Sequence, residues 1–394
     1  SLFHKKDLAT LKAQMGGDEY EGEANDGQSG FFHQLTGVLF FGEDSALSEN
    51  DLRRYDLNVL RHWRQITQKR NKIYHQELKL KYFQYLSLIF TEIYLDWYFN
   101  RRDALLEALN EQLEQYQNET GKAAEKFAPY QVEDLNMTAF WNATGSGKTL
   151  LMHVNILQYL EYADKKPDKI IVLTPREGLS RQHVADLALS GFGAALFDKN
   201  STSHQPSLDF DANSLGIKVE VIDINKLGDK PGEKTVAVEA LGDEGHSGSS
   251  ATDGAWLKRR EALTKGGFSF EYSATLGQAV AGKKNALREK YAKSILFDYS
   301  YKYFYADGYG KESLILNLKK GAYFAEHEKL YFTACLLSFY QQMYLYRKHE
   351  SSLHVWNIEK PLMIFVGKSV ADKTGSSETA EQKTEKSDVF HVLS

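Results

Sequence analysis

Apolar and polar positions follow two different rhythms along this chain, and the change of rhythm divides it. Between Ser48 and Gln117 the apolar positions recur at helical spacing: Leu52, Tyr55, Val59, Leu60 and Trp63 predict one helix, the aromatic run Tyr82 to Phe90 opens a second, and Leu105, Leu106, Leu109 and Leu113 mark a third. After a helix-poor joint near Gly121 to Pro129, short apolar runs alternate with helical stretches. Met137 to Trp141, Lys169 to Thr174, Ile217 to Ile222 and Phe268 to Tyr272 read as strands, and Lys169 to Thr174 is nearly all apolar, as in strands buried in a parallel sheet. Gly282 to Lys348 returns to a mostly helical pattern, in which the aromatic stretch Leu330 to Tyr340 is expected to pack in a core. Pro361 to Val366 predicts another buried strand.

These rhythms give four regions: a mostly helical N-terminal domain (1–120), an α/β domain (121–280), a helical extension (281–358) and the start of a second α/β domain (359–394). Two segments hold too little apolar surface to bury, the acidic, glycine-rich stretch 16–30 and the polar stretch 369–386, and both are expected to be disordered. The first residue is Ser1 rather than Met, and Ser394 follows a strand-like segment that leads nowhere, so both ends read as cut from something longer.

Composition narrows the function classes. A chain of 394 residues can hold two or three domains. Its formal charge of −5 argues against a generally basic surface, so any nucleic-acid contact has to come from a local channel. The cations Arg61, Arg64, Lys69, Arg70, Lys72, Lys79 and Lys81 form a run that could touch phosphates, although a solvated helix face is the simpler reading. The single cysteine, Cys335, excludes an internal disulfide, fits a reducing cytoplasm, and among Ala334, Leu336 and Leu337 reads as a small core residue. No stretch of about 18 uncharged apolar residues exists and no signal peptide opens the chain, so a cytoplasmic protein outside the membrane is expected.

The chemistry concentrates in Trp141 to Thr149 (WNATGSGKT), placed after a predicted strand and before a helix. In the loop Thr144-Gly145-Ser146-Gly147 the glycines let backbone N–H groups wrap a phosphate, Lys148 reaches the β and γ oxygens, and the Thr149 hydroxyl can hold Mg²⁺. A phosphate loop after the first of several alternating strands and helices predicts an α/β, RecA-like P-loop NTPase domain with a parallel sheet, preceded by the α-helical N-terminal domain. ATP hydrolysis also needs a second acidic motif, and Asp243-Glu244-Gly245-His246 fits: Asp243 for the Mg²⁺ shell, Glu244 to polarise the attacking water, His246 to sense the nucleotide. Thr174, Pro175, Arg176 and Gln182, where a strand breaks into a helix, suit a phosphodiester backbone, which positions a strand without reading its sequence. The hydroxyls of Ser273 and Thr275 follow the strand ending at Tyr272 and could bridge the acidic motif to nucleic acid.

With ATGSGKT, TPREGLSRQ, DEGH, FEYSATLGQ and FVGKS (365–369) in this order, residues 130–368 resemble the superfamily-2 helicases and translocases of the DExH type, most closely the restriction (R) subunit of type III restriction–modification systems. The resemblance implies a motor driven by ATP and Mg²⁺ along double-stranded DNA through backbone contacts, a methyltransferase or recognition subunit as a possible partner, and Gln131 as the residue that reads the adenine edge. Two departures stand out. Glu239 to Gly242, ahead of the acidic motif, is not the usual apolar strand, so either Val236 to Leu241 supplies it in a shifted register or it is shortened. The chain also ends soon after the first strand of the second RecA-like domain, which in such motors supplies an arginine finger, so weak or absent hydrolysis by this stretch alone is expected. A second reading is a nucleotide-gated interaction module that binds ATP and moves no strand.

Overall fold

The computed structural model describes residues 8–37, 47–120, 127–197, 215–228, 236–237, 267–277, 285–310, 323–355 and 358–364. Residues 1–311 form one compact unit and 312–394 a second.

The first unit opens with five helices: α1 (Leu8–Met15), α2 (Gly30–Leu35), α3 (Glu49–Tyr74), α4 (Tyr82–Asn100) and α5 (Arg102–Thr120). At the start of α3 the Ser48 side chain accepts from Asp51 N–H while the Asp51 carboxylate takes the Ser48 N–H, which satisfies two end donors reciprocally. The buried stripe of α3 is the predicted one, extended to Ile66. By contrast α4 is buried on almost every side, as its low polarity requires.

An α/β succession follows: β1 (Met137–Asn142), α6 (Lys148–Tyr162), β2 (Ile171–Thr174), α7 (Glu177–Leu189), β3 (Gly193–Leu196), β4 (Lys218–Asp223), β5 (Leu227–Gly228), β6 (Val236–Ala237), β7 (Ser269–Ser273), α8 (Asn285–Ser294), β8 (Ile295–Tyr299) and α9 (Tyr301–Ala306). The order β7-β1-β8 makes one three-stranded sheet and β2-β4-β3 another, while β5 and β6 pair by themselves. Every pairing is parallel, with Trp141 beside Ser273, Asn142 beside Tyr299 and Thr174 beside Asp223. This is the expected RecA-like α/β architecture with helices ahead of it. Those helices do not stand apart from the sheet: Leu52, Val59 and Ile66 of α3, Leu86 and Ile89 of α4, Leu151 and Val154 of α6, and Phe140, Val172 and Phe297 of the strands belong to one continuous apolar core.

Several expectations change. Within the stretch read as helical from Gly282, Ile295–Tyr299 is a strand beside β1. Its five residues are too few to show a period between two helices, and the open edge of β1 decides the outcome. The acidic segment 16–30 is folded: Gln28 and Ser29 are buried, Glu21 and Glu23 pair with Lys81 and Arg64, and Ser29 caps α2. Its charges are matched by cations of α3 and of the residue before α4, which removes the repulsion that would favour disorder.

That matching also accounts for much of the cationic run. Arg61 pairs with Glu161, and Arg70 is buried, donating to Asp186 O at 2.8 Å. In the second unit α10 (Tyr323–His354) carries the aromatic stretch expected in a core, yet Leu337 and Tyr340 are 63% and 68% exposed and Cys335 is half-buried. Only Tyr346 of α10 is buried among its described residues, so the aromatic stretch is not packed as a core there. Pro361 to Ile364, the described part of the last predicted strand, has no regular structure, and Leu362 and Ile364 are exposed. Phe365 to Ser369 and the stretch 369–386 lie outside the described residues.

Candidate functional site

The carboxyl end of β1 is held on both flanks, by β7 and β8, and the chain there turns into α6 through Ala143 to Gly147. Gly145 (φ 91°) and Gly147 (φ 89°) both take left-handed backbone conformations that side chains resist. A Cβ at Gly147 would also lie 2.5 Å from Gln84 Nε2 of α4, so a side chain there would displace the end of that amide. The loop is pinned from within by Ser146, whose buried hydroxyl donates to Ala143 O at 2.8 Å, and from β8 by Tyr299 O, which accepts from Ala143 N–H at 2.8 Å. Thr144 is exposed at the loop tip, and Thr149 is half-buried in the first turn of α6.

Lys148 folds back over this loop and donates from Nζ to Asn142 O at 3.1 Å and Ala143 O at 2.9 Å. Burial lowers its pKa from the usual lysine value, because a half-buried ammonium with carbonyl partners is undercompensated. The amide of Asn142 just below is fully buried, and neither of its polar atoms has a hydrogen-bond partner among the described residues. A glycine-lined concavity at a helix N-terminus with an undercompensated cation is a fit for phosphate oxygens. ATP is therefore compatible with the residues present: Gly145, Ser146, Gly147 and Lys148 would hold its phosphates, and the Thr149 hydroxyl would face Mg²⁺.

The other predicted site residues divide. Ser273 is brought to the loop, since it pairs with Trp141, whose indole N–H donates to Ala274 O at 3.1 Å. Its Oγ accepts from Thr275 N–H at 3.1 Å, and Thr275 is exposed. At the end of β2, Pro175, Arg176 and Gln182 are exposed, with Arg176 leading into α7. Thr174 is not available for nucleic acid: it is buried, its hydroxyl 2.6 Å from Ser180 Oγ, and it ties the strand end to α7.

Gln131 is not brought to the loop either. It precedes a 3-10 turn (Val132–Asn136) that enters β1 at the opposite end, where neighbouring Pro129 O accepts from Lys293, two residues before β8 begins. The full length of β1, about 20 Å, then separates this edge from the phosphate loop. Asp243, Glu244 and His246 lie outside the described residues, as does most of Val236 to Leu241; its first two residues form β6, against β5.

Sequence patterns gave no sign of three residues that border the loop. Gln84 Nε2 donates to Ser146 O at 3.0 Å, Phe304 of α9 would lie 3.4 Å from a Cβ at Gly145, and Tyr299 stacks on Phe83 of α4 with ring centroids 3.9 Å apart. All three come from outside the motif, and no short-range spacing links them to it.

The parallel sheet and this loop define a P-loop nucleotide-binding domain. Residues 103–278 match the family described as type III restriction enzyme, res subunit. The match spans under half of the chain, running from the first turn of α5 past Thr275, and over that span the resemblance drawn from the motifs holds. The matched span is a helicase-like, ATP-binding type of domain. No curated protein and no solved structure matches the chain. Among the described residues no helix is long and apolar enough to cross a membrane, and no group of His, Cys, Asp and Glu could by itself hold a metal ion.

Proposed function

We propose that this chain is the ATP-binding motor domain of a DNA-dependent helicase or translocase from a restriction or phage-defence system. The observation that carries the reading is the loop 143–147 with Lys148 folded onto its carbonyls, inside a span that matches the type III res subunit family. Lys148 would move onto the phosphates of ATP, exchanging two neutral carbonyl acceptors for charged oxygens. Thr149 and Asp243 would hold Mg²⁺, which would supply neutralisation of the charge on the phosphate oxygens. Glu244 polarises the attacking water and His246 reports the nucleotide state.

Arg176, just before α7, and Gln182, exposed on α7, with Thr275, contact the backbone of duplex DNA without base readout. A methyltransferase or recognition subunit supplies the site preference. The test is ATP turnover with and without duplex DNA, for this chain and for Lys148→Ala and Glu244→Gln. Turnover that rises with DNA of any sequence, falls steeply with salt and vanishes in both variants supports the motor. Lys148-dependent ATP binding that duplex DNA leaves unchanged, with no binding of the DNA itself, overturns it in favour of a nucleotide-gated module.

A further inference from the structure

The phosphate loop receives one contact from a helix far upstream, and its geometry bears on how the loop binds anions. Gln84 lies in the first turn of α4, outside the span 103–278. Its amide is used at both ends: Oε1 accepts from Lys81 N–H at 3.0 Å, capping its own helix, and Nε2 donates to Ser146 O at 3.0 Å. The amide cannot turn over without losing both bonds, so the donor is committed to the loop. The base of α4 is itself fastened to the sheet. Phe83 stacks on Tyr299, and Tyr82 and Tyr299 both donate to the Asp307 carboxylate, which Lys12 also approaches to 2.7 Å.

The consequence follows from peptide geometry. In a planar trans peptide the carbonyl and the following N–H point in opposite directions. By holding Ser146 O toward α4, Gln84 turns the Gly147 N–H away from α4. A Cβ at Gly147 would lie 2.5 Å from Gln84 Nε2, so a side chain there would push the amide off Ser146 O. We propose that Gln84 is a positioning residue of the phosphate loop, fixing the Ser146–Gly147 peptide so that the Gly147 N–H faces the phosphates of a bound nucleotide. The inference rests on the nucleotide reading given above. It makes the helical N-terminal part a component of the site: α4 presets a donor that the loop alone would have to order on binding, and preset donors bind more tightly than donors that must be ordered.

The two ends of the amide separate this role from helix capping. Gln84→Glu keeps the acceptor for Lys81 N–H and removes the donor, whereas Gln84→Met, of similar length, removes both. ATP affinity, read with a fluorescent ATP analogue in Mg²⁺, and thermal midpoint are measured for the parent, both variants and Lys148→Ala. The expected result is an affinity loss of about tenfold in both Gln84 variants and a lower midpoint in both, since Gln84→Met loses the cap and Gln84→Glu sets a carboxylate against Ser146 O. Parental affinity in Gln84→Glu overturns the proposal and leaves capping as the whole role. Analogue binding by Lys148→Ala equal to that of the parent instead overturns the nucleotide reading, and the Gln84 proposal with it.

Discussion

Thr138 shares a face of β1 with Phe140, and both are buried. The Thr138 hydroxyl has no hydrogen-bond partner among the described residues. An unpaired buried hydroxyl costs about 1–3 kcal/mol of desolvation that nothing returns, while a valine of the same shape carries no such group. Thr138→Val is therefore expected to raise the denaturant midpoint with an unchanged slope, and a lowered midpoint would show that the hydroxyl is paired in solution. Asn142, on the same face, has the same deficit, but it lies directly under the phosphate loop. At this scale the sequence disclosed the loop itself, since Gly145, Gly147 and Lys148 each have a chemical reason to stand where they do. It misled at Thr174, where a hydroxyl suited to phosphate is spent on Ser180, and it was silent on Gln84, which acts from a helix more than sixty residues upstream.

The helices α3, α4 and α6 meet around a buried polar group, Glu92. Gln158 Nε2 donates to its Oε1 at 3.2 Å, and His62 Nδ1 lies 3.9 Å away. Burial raises the Glu92 carboxyl to about 7 and lowers His62 to about 4, so between those values both are neutral and their approach is no ion pair. For an acid whose pKa is raised by folding, stability is full below the unfolded value of 4.5, where both states are protonated, and falls as pH rises through the folded value. His62 works in the other direction, losing stability as pH falls from 6.5 toward 4, but that dependence is common to the parent and a Glu92 variant and cancels in their difference. Glu92→Gln is expected to gain on the parent from about pH 5 upward and level off above about 7, read as denaturant midpoints across pH; parallel curves would contradict the assignment. Of these helices, α3 and α4 were visible in the apolar pattern of the sequence, and α6 as the helix that follows the phosphate loop. What it could not show was that α6 packs against α3 and α4, because a period reports that a face is buried and not what buries it. The strand β8 was hidden for a related reason: its place is set by β1, a partner more than a hundred residues away.

At the scale of the whole molecule, one apolar core runs from the N-terminal helices through α6 into both three-stranded sheets, so the phosphate loop sits in a frame to which the helices contribute. The matched family span begins at residue 103, and α1 to α4 precede it, yet α4 supplies Gln84 and Phe83 at the loop's border. Motif order announced the class of protein because phosphate binding constrains a short stretch of backbone. The helical frame imposes no such local constraint and became visible only in the fold. The central claim is that this loop binds a nucleoside triphosphate through Lys148, and the most direct measurement is an equilibrium titration of ATP and Mg²⁺ into the parent chain and into Lys148→Ala, at matched fold by circular dichroism. The account predicts saturable binding by the parent that weakens at least about tenfold in the variant, the loss of one charge-assisted contact set. Equal binding by both proteins, or none by the parent, would contradict it.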